Sequence, residues 1–262
     1  RSVPHYVRRT LMVRAKKHLG QHFLSDRHYA EKVGEACTGI PIDTLLEIGP
    51  GTGALTQYLI ESNKNLLCYD VDQESINYLK EHYPEHSASF QLKDFLKADL
   101  TSEFDSKPFA VVGNFPYNIS TQIVFKILSV QEHIPYMVGM FQKEVAQRVT
   151  SPPGSKAYGI LSVLLQSLYD VEYLFTVPPE VFDPPPKVQS AVIRLVRNFD
   201  KKIDCDEKKF KMVIKVAFNQ RRKTLRNSLK SILDAEKRAD QLFDKRPEQL
   251  SVDEFVSITK ML

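Results

Sequence analysis

The chain has 262 residues, of which 42% are hydrophobic and 26% charged, and its formal net charge is +4. These values are typical of a globular protein with one large domain or a large and a small one. No apolar run in the sequence approaches the roughly 20 residues of a transmembrane helix, which argues against a membrane-spanning protein.

The cysteines and the N-terminus bear on the cellular location. Cys37, Cys68 and Cys205 are scattered, odd in number and match no metal-ligand spacing, which argues against a disulfide framework or a metal site. The N-terminus shows no secretory signal pattern. We therefore expect a cytoplasmic protein.

The N-terminal stretch is basic, with six Lys or Arg residues and no acidic residue in positions 1–17. Such a run is either a solvated tail or an arm that contacts phosphates, and both interpretations stay open. A compact apolar segment follows at 19–24. A helix is predicted from about 26 to 37, with Ser25 or Asp26 as its cap.

The next stretch predicts the first unit of a doubly wound α/β domain. An apolar strand at 44–48 runs into a glycine-rich turn at 49–54 and then an amphipathic helix, and such glycines let the backbone approach a ligand closely. Further strands are predicted at 65–71, 89–92 and 109–112. In an open α/β sheet, ligands bind at the edge where these strands end.

Acidic residues stand at two of those strand ends. Asp70 follows the glycine turn by about 20 residues and suits a ribose diol. Asp94 follows the third strand and could accept a hydrogen bond from an adenine amino group. Either acid alone is more often a cap or turn residue, but their shared position at one sheet edge favours a nucleotide-type ligand.

The glycine turn alone also fits a loose dinucleotide fingerprint, so a nicotinamide oxidoreductase is one alternative. Glu47 followed by Gly49, Gly51 and Gly53 is, however, the pattern of S-adenosylmethionine-dependent methyltransferases. A nicotinamide enzyme also has no use for the residues that follow the fourth strand.

Those residues are Asn114-Phe115-Pro116-Tyr117. They suit group transfer to the exocyclic amine of a planar base, because the Asn114 side-chain oxygen and the Phe115 carbonyl can accept its N–H bonds. Pro116 restricts the backbone, and Tyr117 offers a face on which an extruded base can stack. Taken alone, the segment could equally be a strand and a proline turn with a buried tyrosine.

The second half of the chain completes the sheet and adds a helical region. Helices are predicted at 121–129, 142–150 and 160–169, with strands at 136–141, 171–177 and 190–196, the last two as a hairpin. A polar linker at 199–206 precedes a predicted small domain of four or five helices. Its second helix is expected to begin with the basic residues Arg221, Arg222, Lys223 and Arg226.

Seven segments from residue 16 onward carry a resemblance to a known family. They are LGQHFL at 19–24, EIGPGTG at 47–53, GNFPYNIS at 113–120, QKEV at 142–145, KAYG at 156–159, FDPPPKV at 182–188 and AFNQRRKTLRNSL at 217–229. On these motifs the chain closely resembles the bacterial small-subunit ribosomal RNA adenine N6,N6-dimethyltransferases.

The resemblance implies a fold and a cofactor. It implies an α/β fold with a doubly wound, Rossmann-like class I methyltransferase sheet. The chain would consist of a basic extension at 1–15, the methyltransferase domain at 16–198 and a small all-α RNA-docking domain at 199–262. S-adenosylmethionine, which leaves as S-adenosylhomocysteine, would be bound without a metal. The matching positions are His22, Leu24, Gly49, Gly51, Asp70, Asp94 and Asn114. Many relatives carry Asn in place of His22 and Glu in place of Asp70.

The implied reaction adds two methyl groups to N6 of each of two adjacent adenosines near the 3′ end of 16S rRNA in the small ribosomal subunit. Asn114, Phe115 and Tyr117 would act at the reacting amine, and Phe182 would face Tyr117 across the base. Arg221, Arg222, Lys223 and Arg226 would contact RNA phosphates. A monomer is expected.

Two further alternatives stay open at this point. One is a large-subunit RNA methyltransferase of the macrolide-resistance type, against which the basic 221–223 stretch argues. The other is a non-catalytic ribosome-assembly factor on the same fold, against which the intact Asn114 and Asp94 argue.

Overall fold

A seven-stranded sheet flanked by helices forms the centre of the molecule. The structure, a computed structural model, describes residues 13–62 and 64–262, so residues 1–12 of the predicted basic extension lie outside it. The strands are β1 (Phe23–Leu24), β2 (Thr44–Ile48), β3 (Asn65–Asp70), β4 (Phe90–Leu92), β5 (Ala110–Asn114), β6 (Tyr136–Gln142), β7 (Tyr169–Val177), β8 (Phe182–Asp183) and β9 (Ser190–Arg197). The helices are α1 (Arg27–Cys37), α2 (Thr56–Glu61), α3 (Gln73–His82), α4 (Leu100–Glu103), α5 (Ser120–Ser129), α6 (Lys143–Thr150), α7 (Ile160–Gln166), α8 (Glu207–Asn219), α9 (Leu225–Ser228) and α10 (Val252–Thr259).

The strand order of the large sheet is β4-β3-β2-β5-β6-β9-β7. The first five strands are parallel to one another, whereas β9 is antiparallel to both β6 and β7. The predicted doubly wound α/β sheet and the predicted pairing of the two late strands are therefore confirmed. The strand order reverses between β2 and β5, which is where such sheets bind ligands.

Alternating side chains of the central strands enter two separate cores, one on each face of the sheet. Leu46 and Val111 pack on one face, and Leu45 and Val112 pack on the other. All four side chains are fully buried. This two-sided burial explains why β2 and β5 appear in the sequence as continuous apolar runs rather than as alternating ones.

A second, two-stranded sheet joins two distant parts of the chain. β1 pairs with β8 in antiparallel register, with Phe23 opposite Asp183 and Leu24 opposite Phe182. The Ser25 backbone N–H extends the pairing by donating to the Val181 carbonyl at 2.9 Å. The short ribbon thus ties the segment before α1 to the proline-rich loop between β7 and β9.

Helix α1 begins as predicted, because the Asp26 side chain accepts a hydrogen bond from the Tyr29 N–H at 3.2 Å. The predicted helix at 160–169 is wrong at its end, since α7 stops at Gln166 and Tyr169 begins β7. Tyr169 is fully buried, pairs with Arg197 in the sheet, and donates its hydroxyl to the Ile134 carbonyl at 2.8 Å. An apolar run of this length does not distinguish helix from strand by periodicity.

The C-terminal region builds a third apolar cluster from α8, α9, α10 and the turns between them. Tyr158, Val163 and Leu164 of the preceding region join this cluster, so the helical region is anchored on α7. Three α-helices and three short 3-10 helices occupy residues 207–262, where four or five helices were predicted. Among all described residues, no helix has both the length and the hydrophobicity for a membrane crossing.

Candidate active site

A cavity of about 180 Å³ lies where β2, β3 and β5 end. It brings together six of the seven residues predicted to bind the cofactor, namely His22, Gly49, Gly51, Asp70, Asp94 and Asn114. The seventh, Leu24, lines a smaller adjoining cavity with Gly49, Gly51 and Asn114. The carboxyl ends of parallel strands meet at one edge, which is why residues so distant in sequence converge here.

The glycine turn lets the backbone pass directly beneath this cavity. Gly51 has a φ of +56°, and a Cβ atom at this position would lie 2.9 Å from the Phe23 ring. A side chain at position 51 would therefore be strained and would also displace Phe23. The Gly51 N–H donates to Asp70 Oδ2 at 3.3 Å, which joins the turn to the end of β3.

Asp70 is a buried carboxyl group at the cavity wall, with 7% of its surface exposed. Burial raises its pKa to about 6, although hydrogen bonds from the backbone N–H groups of Asp72 (2.9 Å) and Gly51 (3.3 Å) act in the opposite direction. These two donors fix the carboxylate and leave it further acceptor capacity.

Glu47 lies beneath the turn and is fully buried. Burial raises its pKa to about 7, against the opposing hydrogen bonds from the Thr56 hydroxyl (2.7 Å) and the Cys68 thiol. Because Thr56 begins α2, this contact joins the last part of β2 to the helix beyond the turn.

A first prediction concerns Glu47 and pH. Its pKa is about 7 in the folded protein against 4.5 as the ordinary value, so unfolding releases the proton and folding is favoured by Glu47 at low pH. This contribution, on the order of 3 kcal/mol, is fully present below pH 4.5 and is lost as the pH rises from 4.5 to about 7. We expect the free energy of unfolding, measured with urea, to fall more steeply between about pH 5 and 7 in the wild type than in Glu47→Gln, which keeps the smaller slope of Asp70. Equal slopes in both proteins would contradict this assignment.

Asn114 is held by its amide nitrogen, which donates to the His22 carbonyl at 2.9 Å. The side-chain oxygen is thereby left as the acceptor that Asn114 offers at the cavity. Among the described residues, no donor bonds the Phe115 carbonyl oxygen either. Both acceptors that the sequence predicted are thus available, side by side, at the end of β5.

The Phe115 side chain fixes the backbone at this point. Its ring is 1% exposed and lies edge-on to Phe141 at 5.1 Å. It packs on Gly113 of β5 and on Gly139 of β6, which are register partners. A Cβ atom on Gly139 would lie 2.3 Å from the Phe115 ring, so the ring fits only because the strand beneath it has no side chain there. Sequence analysis overlooked this support, although a glycine inside a strand often marks a close approach.

A strap formed by residues 16–23 covers one side of the cavity. Its anchor is Asp72, a fully buried side chain that binds the Lys16 ammonium and accepts from Gln21 Nε2 at 3.1 Å. Burial would raise the pKa of Asp72, but its hydrogen bonds with Lys16 and Gln21 outweigh that effect and hold the pKa below the ordinary value. Sequence analysis did not single out any of these three residues.

A second cavity, of about 600 Å³, shares a wall with the first. His22 and Tyr117 line both cavities, and the far side of the second one is formed by residues 184–188 of the proline-rich loop. The two rings lie 5.2 Å apart at a 31° tilt. His22 Nδ1 donates to the Pro184 carbonyl at 2.8 Å, since a carbonyl can only accept.

The sequence of this chain is similar to those of known RNA-modifying enzymes. A family model described as ribosomal RNA adenine dimethylase matches residues 12–262. The ribosomal RNA small subunit methyltransferase A of Bacteroides thetaiotaomicron is 54% identical over 253 residues, which cover 96% of this chain and 95% of that protein. The protein of the same name from Cytophaga hutchinsonii is 55% identical, with 95% and 98% covered.

The chain belongs to the ribosomal RNA adenine dimethylase family. The resemblance inferred from its motifs is therefore confirmed, and the nicotinamide oxidoreductase alternative is excluded.

Solved structures show the same fold. A dimethyladenosine transferase from Plasmodium falciparum has a TM-score of 0.77 at 23% identity, with 90% of this chain and 96% of that chain covered. The 23S rRNA methyltransferase ErmE has a TM-score of 0.70 at 25% identity, with 91% and 99% covered. The predicted Rossmann-like methyltransferase fold of this family member is confirmed.

Phe182 does not take the position that the family resemblance predicted. Its side chain is 3% exposed and packs in the core with Leu24, its partner across the β1–β8 ribbon. It lines neither of the two large cavities. The ring found beside Tyr117 is that of His22. No local sequence pattern indicates this, because the pairing of β1 with β8 joins segments about 160 residues apart and turns Phe182 into the core.

The predicted RNA-contacting residues also divide into two groups. Arg221, Arg222 and Lys223 lie in the loop after α8 rather than at a helix start, and only Arg226 is helical. The Arg226 guanidinium binds Asp244 at 2.7 Å and the carbonyl groups of Arg238 and Asp240. All of its nitrogens are bonded within the C-terminal region, so Arg226 holds that region together, and its contact with RNA stays a prediction.

Proposed function

We propose that this chain transfers methyl groups from S-adenosylmethionine to N6 of two adjacent adenosines near the 3′ end of 16S rRNA in the small ribosomal subunit. The products are N6,N6-dimethyladenosine and S-adenosylhomocysteine. One observation carries the proposal: the Asn114 amide nitrogen is bound to the His22 carbonyl, so its oxygen serves as an acceptor beside Tyr117 at the junction of two cavities.

The first cavity fits the cofactor. Gly49 and Gly51 present a wall without side chains, and the buried Asp70 carboxylate suits the ribose hydroxyl groups. Asp94 accepts from the Leu96 N–H at 3.0 Å and would take the adenine amino group at a second lone pair. When bound, S-adenosylmethionine supplies a methyl group already activated by the sulfonium charge.

The second cavity would receive the target base. An adenine inside an RNA stack is out of reach, so the adenosine is extruded and stacks on Tyr117. Asn114 Oδ1 and the Phe115 carbonyl oxygen then accept the two N6–H bonds and orient the nitrogen lone pair toward the methyl carbon. Bound S-adenosylmethionine would supply the methyl group as its C–S bond breaks and the N–C bond forms, with S-adenosylhomocysteine as the leaving group, and one N6 proton would pass to solvent. Positioning supplies most of the rate enhancement.

Basic residues on two sides would position the RNA. Lys17 and Lys187 line the second cavity, while Arg222 and Lys223 are exposed in the loop after α8. Such contacts with phosphates fix the register of the substrate without reading its sequence. We assign substrate docking to the helical region at 199–262 and methyl transfer to residues 16–198.

The small subunit is preferred as substrate because the relatives at 54% and 55% identity are named small subunit methyltransferases. The decisive experiment offers labelled S-adenosylmethionine with unmodified small subunits, large subunits and naked 16S rRNA. Label recovered as dimethyladenosine in small subunits supports the proposal. Label in large subunits alone would favour the macrolide-resistance type of activity, and cofactor binding without any label would favour an assembly factor.

A second prediction concerns cofactor affinity and pH. Because the pKa of Asp70 is raised to about 6, its carboxyl group becomes protonated below that pH and loses acceptor strength for the ribose. The dissociation constant for S-adenosylmethionine should therefore rise about tenfold from pH 7 to pH 5. Titration calorimetry of the wild type and Asp70→Asn measures this. The variant should bind more weakly at pH 7 and show no such rise; the same pH dependence in both proteins would rule out Asp70 as its source.

A further inference from the structure

Ser190 is a buried side chain that neither the motifs nor the cofactor cavity brought to notice. It is the first residue of β9 and is fully buried. In the sheet it lies opposite Gln142 at the end of β6 and Val177 at the end of β7. Its backbone is thus held by strands on both sides.

The Ser190 hydroxyl group bonds to the Tyr117 hydroxyl group. Among the described residues, neither hydroxyl has another hydrogen-bonding partner. Tyr117 itself follows β5 in a turn, and its ring lines both cavities. The bond therefore connects a ring on a turn to the interior of the sheet.

Two contacts together determine the orientation of the Tyr117 ring. His22 lies beside it with ring centroids 5.2 Å apart, which limits the tilt. Rotation about the side-chain bonds of Tyr117 would still move the hydroxyl end, and the bond to Ser190 restrains that movement. Since base stacking needs a ring in a fixed plane, the restraint acts on the surface that the substrate meets.

We propose that Ser190 is a positioning residue that holds the Tyr117 ring in the orientation in which it stacks on the target adenine. This rests on the proposed function for the identity of the substrate. If the bond has this role, Ser190 acts on methyl transfer only through Tyr117 and leaves cofactor binding unaffected.

The test is a double-mutant cycle with Ser190→Ala and Tyr117→Phe, each of which removes one end of the same bond. A hydrogen bond of this kind corresponds to about 3- to 10-fold in kcat/KM for unmodified small subunits. We expect that loss in either single variant and no further loss in the double variant. The dissociation constant for S-adenosylmethionine should stay within about twofold of the wild type.

Ser167→Ala is the matched control, because Ser167 is also buried, its hydroxyl group donates to the Leu164 carbonyl at 2.7 Å, and it lies outside both large cavities and outside the helical region. It should leave kcat/KM unchanged. Additive losses in the double variant, or a loss of cofactor affinity as large as the loss of transfer, would overturn the proposal.

A second readout is independent of methyl transfer. With 3-fluorotyrosine incorporated, the 19F resonance of Tyr117 is assigned by its absence in Tyr117→Phe. Ser190→Ala should shift or broaden that resonance, and Ser167→Ala should not. An unchanged Tyr117 resonance in Ser190→Ala refutes the positioning role, whether or not the wild type methylates ribosomal subunits. Absence of methyl transfer by the wild type refutes the proposed function alone.

Discussion

Replacing Asn114 with alanine should reduce the single-turnover rate of methyl transfer by about 100- to 1,000-fold, as expected when one oriented polar group is removed from a reacting centre. The variant lacks the side-chain oxygen that we propose accepts one N6–H bond of the target amine. It also lacks the hydrogen bond to the His22 carbonyl, so a weaker affinity for S-adenosylmethionine should accompany the slower chemistry. Single-turnover assays at saturating cofactor separate the two effects.

Asn198→Ala is the control for this variant. The Asn198 amide nitrogen donates to Asp170 at 3.1 Å, on the β7–β9 side of the sheet and outside both large cavities. This variant should transfer methyl groups at the wild-type rate. If Asn114→Ala retained more than about a tenth of the wild-type rate at saturating cofactor, the proposed role of its side-chain oxygen would be wrong.

Replacing Gly139 with alanine should affect both stability and activity. The added methyl group would lie 2.3 Å from the Phe115 ring and 2.8 Å from the Met137 sulfur, and overpacking of this kind costs about 1–3 kcal/mol. If the strain moves Phe115, it also moves the carbonyl group proposed to accept an N6–H bond. We expect a lower free energy of unfolding, and a methyl-transfer rate that falls further than the unfolded fraction explains.

Gly159→Ala serves as the comparison, because Gly159 has an extended backbone and a Cβ atom there would have no neighbour closer than 3.9 Å. Denaturant unfolding and single-turnover assays of the two variants give both quantities. Unfolding free energies and rates that match for the two variants would show that the contact between Phe115 and the strand beneath it is unimportant.

The site was predictable where short-range patterns determine geometry. A strand, a glycine turn and a helix fix the positions of Gly49 and Gly51, and parallel strand ends bring Asp70, Asp94 and Asn114 to the same edge. Each of these five positions could be inferred without knowing how distant segments pack. Asp70 and Asn114 are the last residues of β3 and β5, and Asp94 follows β4 by two positions.

The parts that were missed depend on contacts between distant segments. Phe182 is in the core because β8 pairs with β1, and no local pattern around residue 182 contains that information. Arg226 is engaged because Asp244 and the turns around Arg238 and Asp240 fold back on α9. A basic residue in a basic run has the same sequence signature whether it contacts a phosphate or a carboxylate of its own chain.

The two glycines that support the Phe115 ring were also missed because they meet only through a long-range contact. Gly113 and Gly139 lie on different strands, and only the register of β5 with β6 makes them neighbours. Each glycine alone suggests little more than a flexible or crowded position in a strand.

The short ribbon of β1 and β8 has a thermodynamic consequence. The strap beside the first cavity and the proline-rich loop beside the second are joined by this ribbon and by the hydrogen bond from His22 to Pro184, so displacement of one segment displaces the other. We therefore expect the filling of either cavity to change the free energy of filling its neighbour. Such coupling is reciprocal: whatever factor the cofactor contributes to RNA affinity, RNA contributes equally to cofactor affinity.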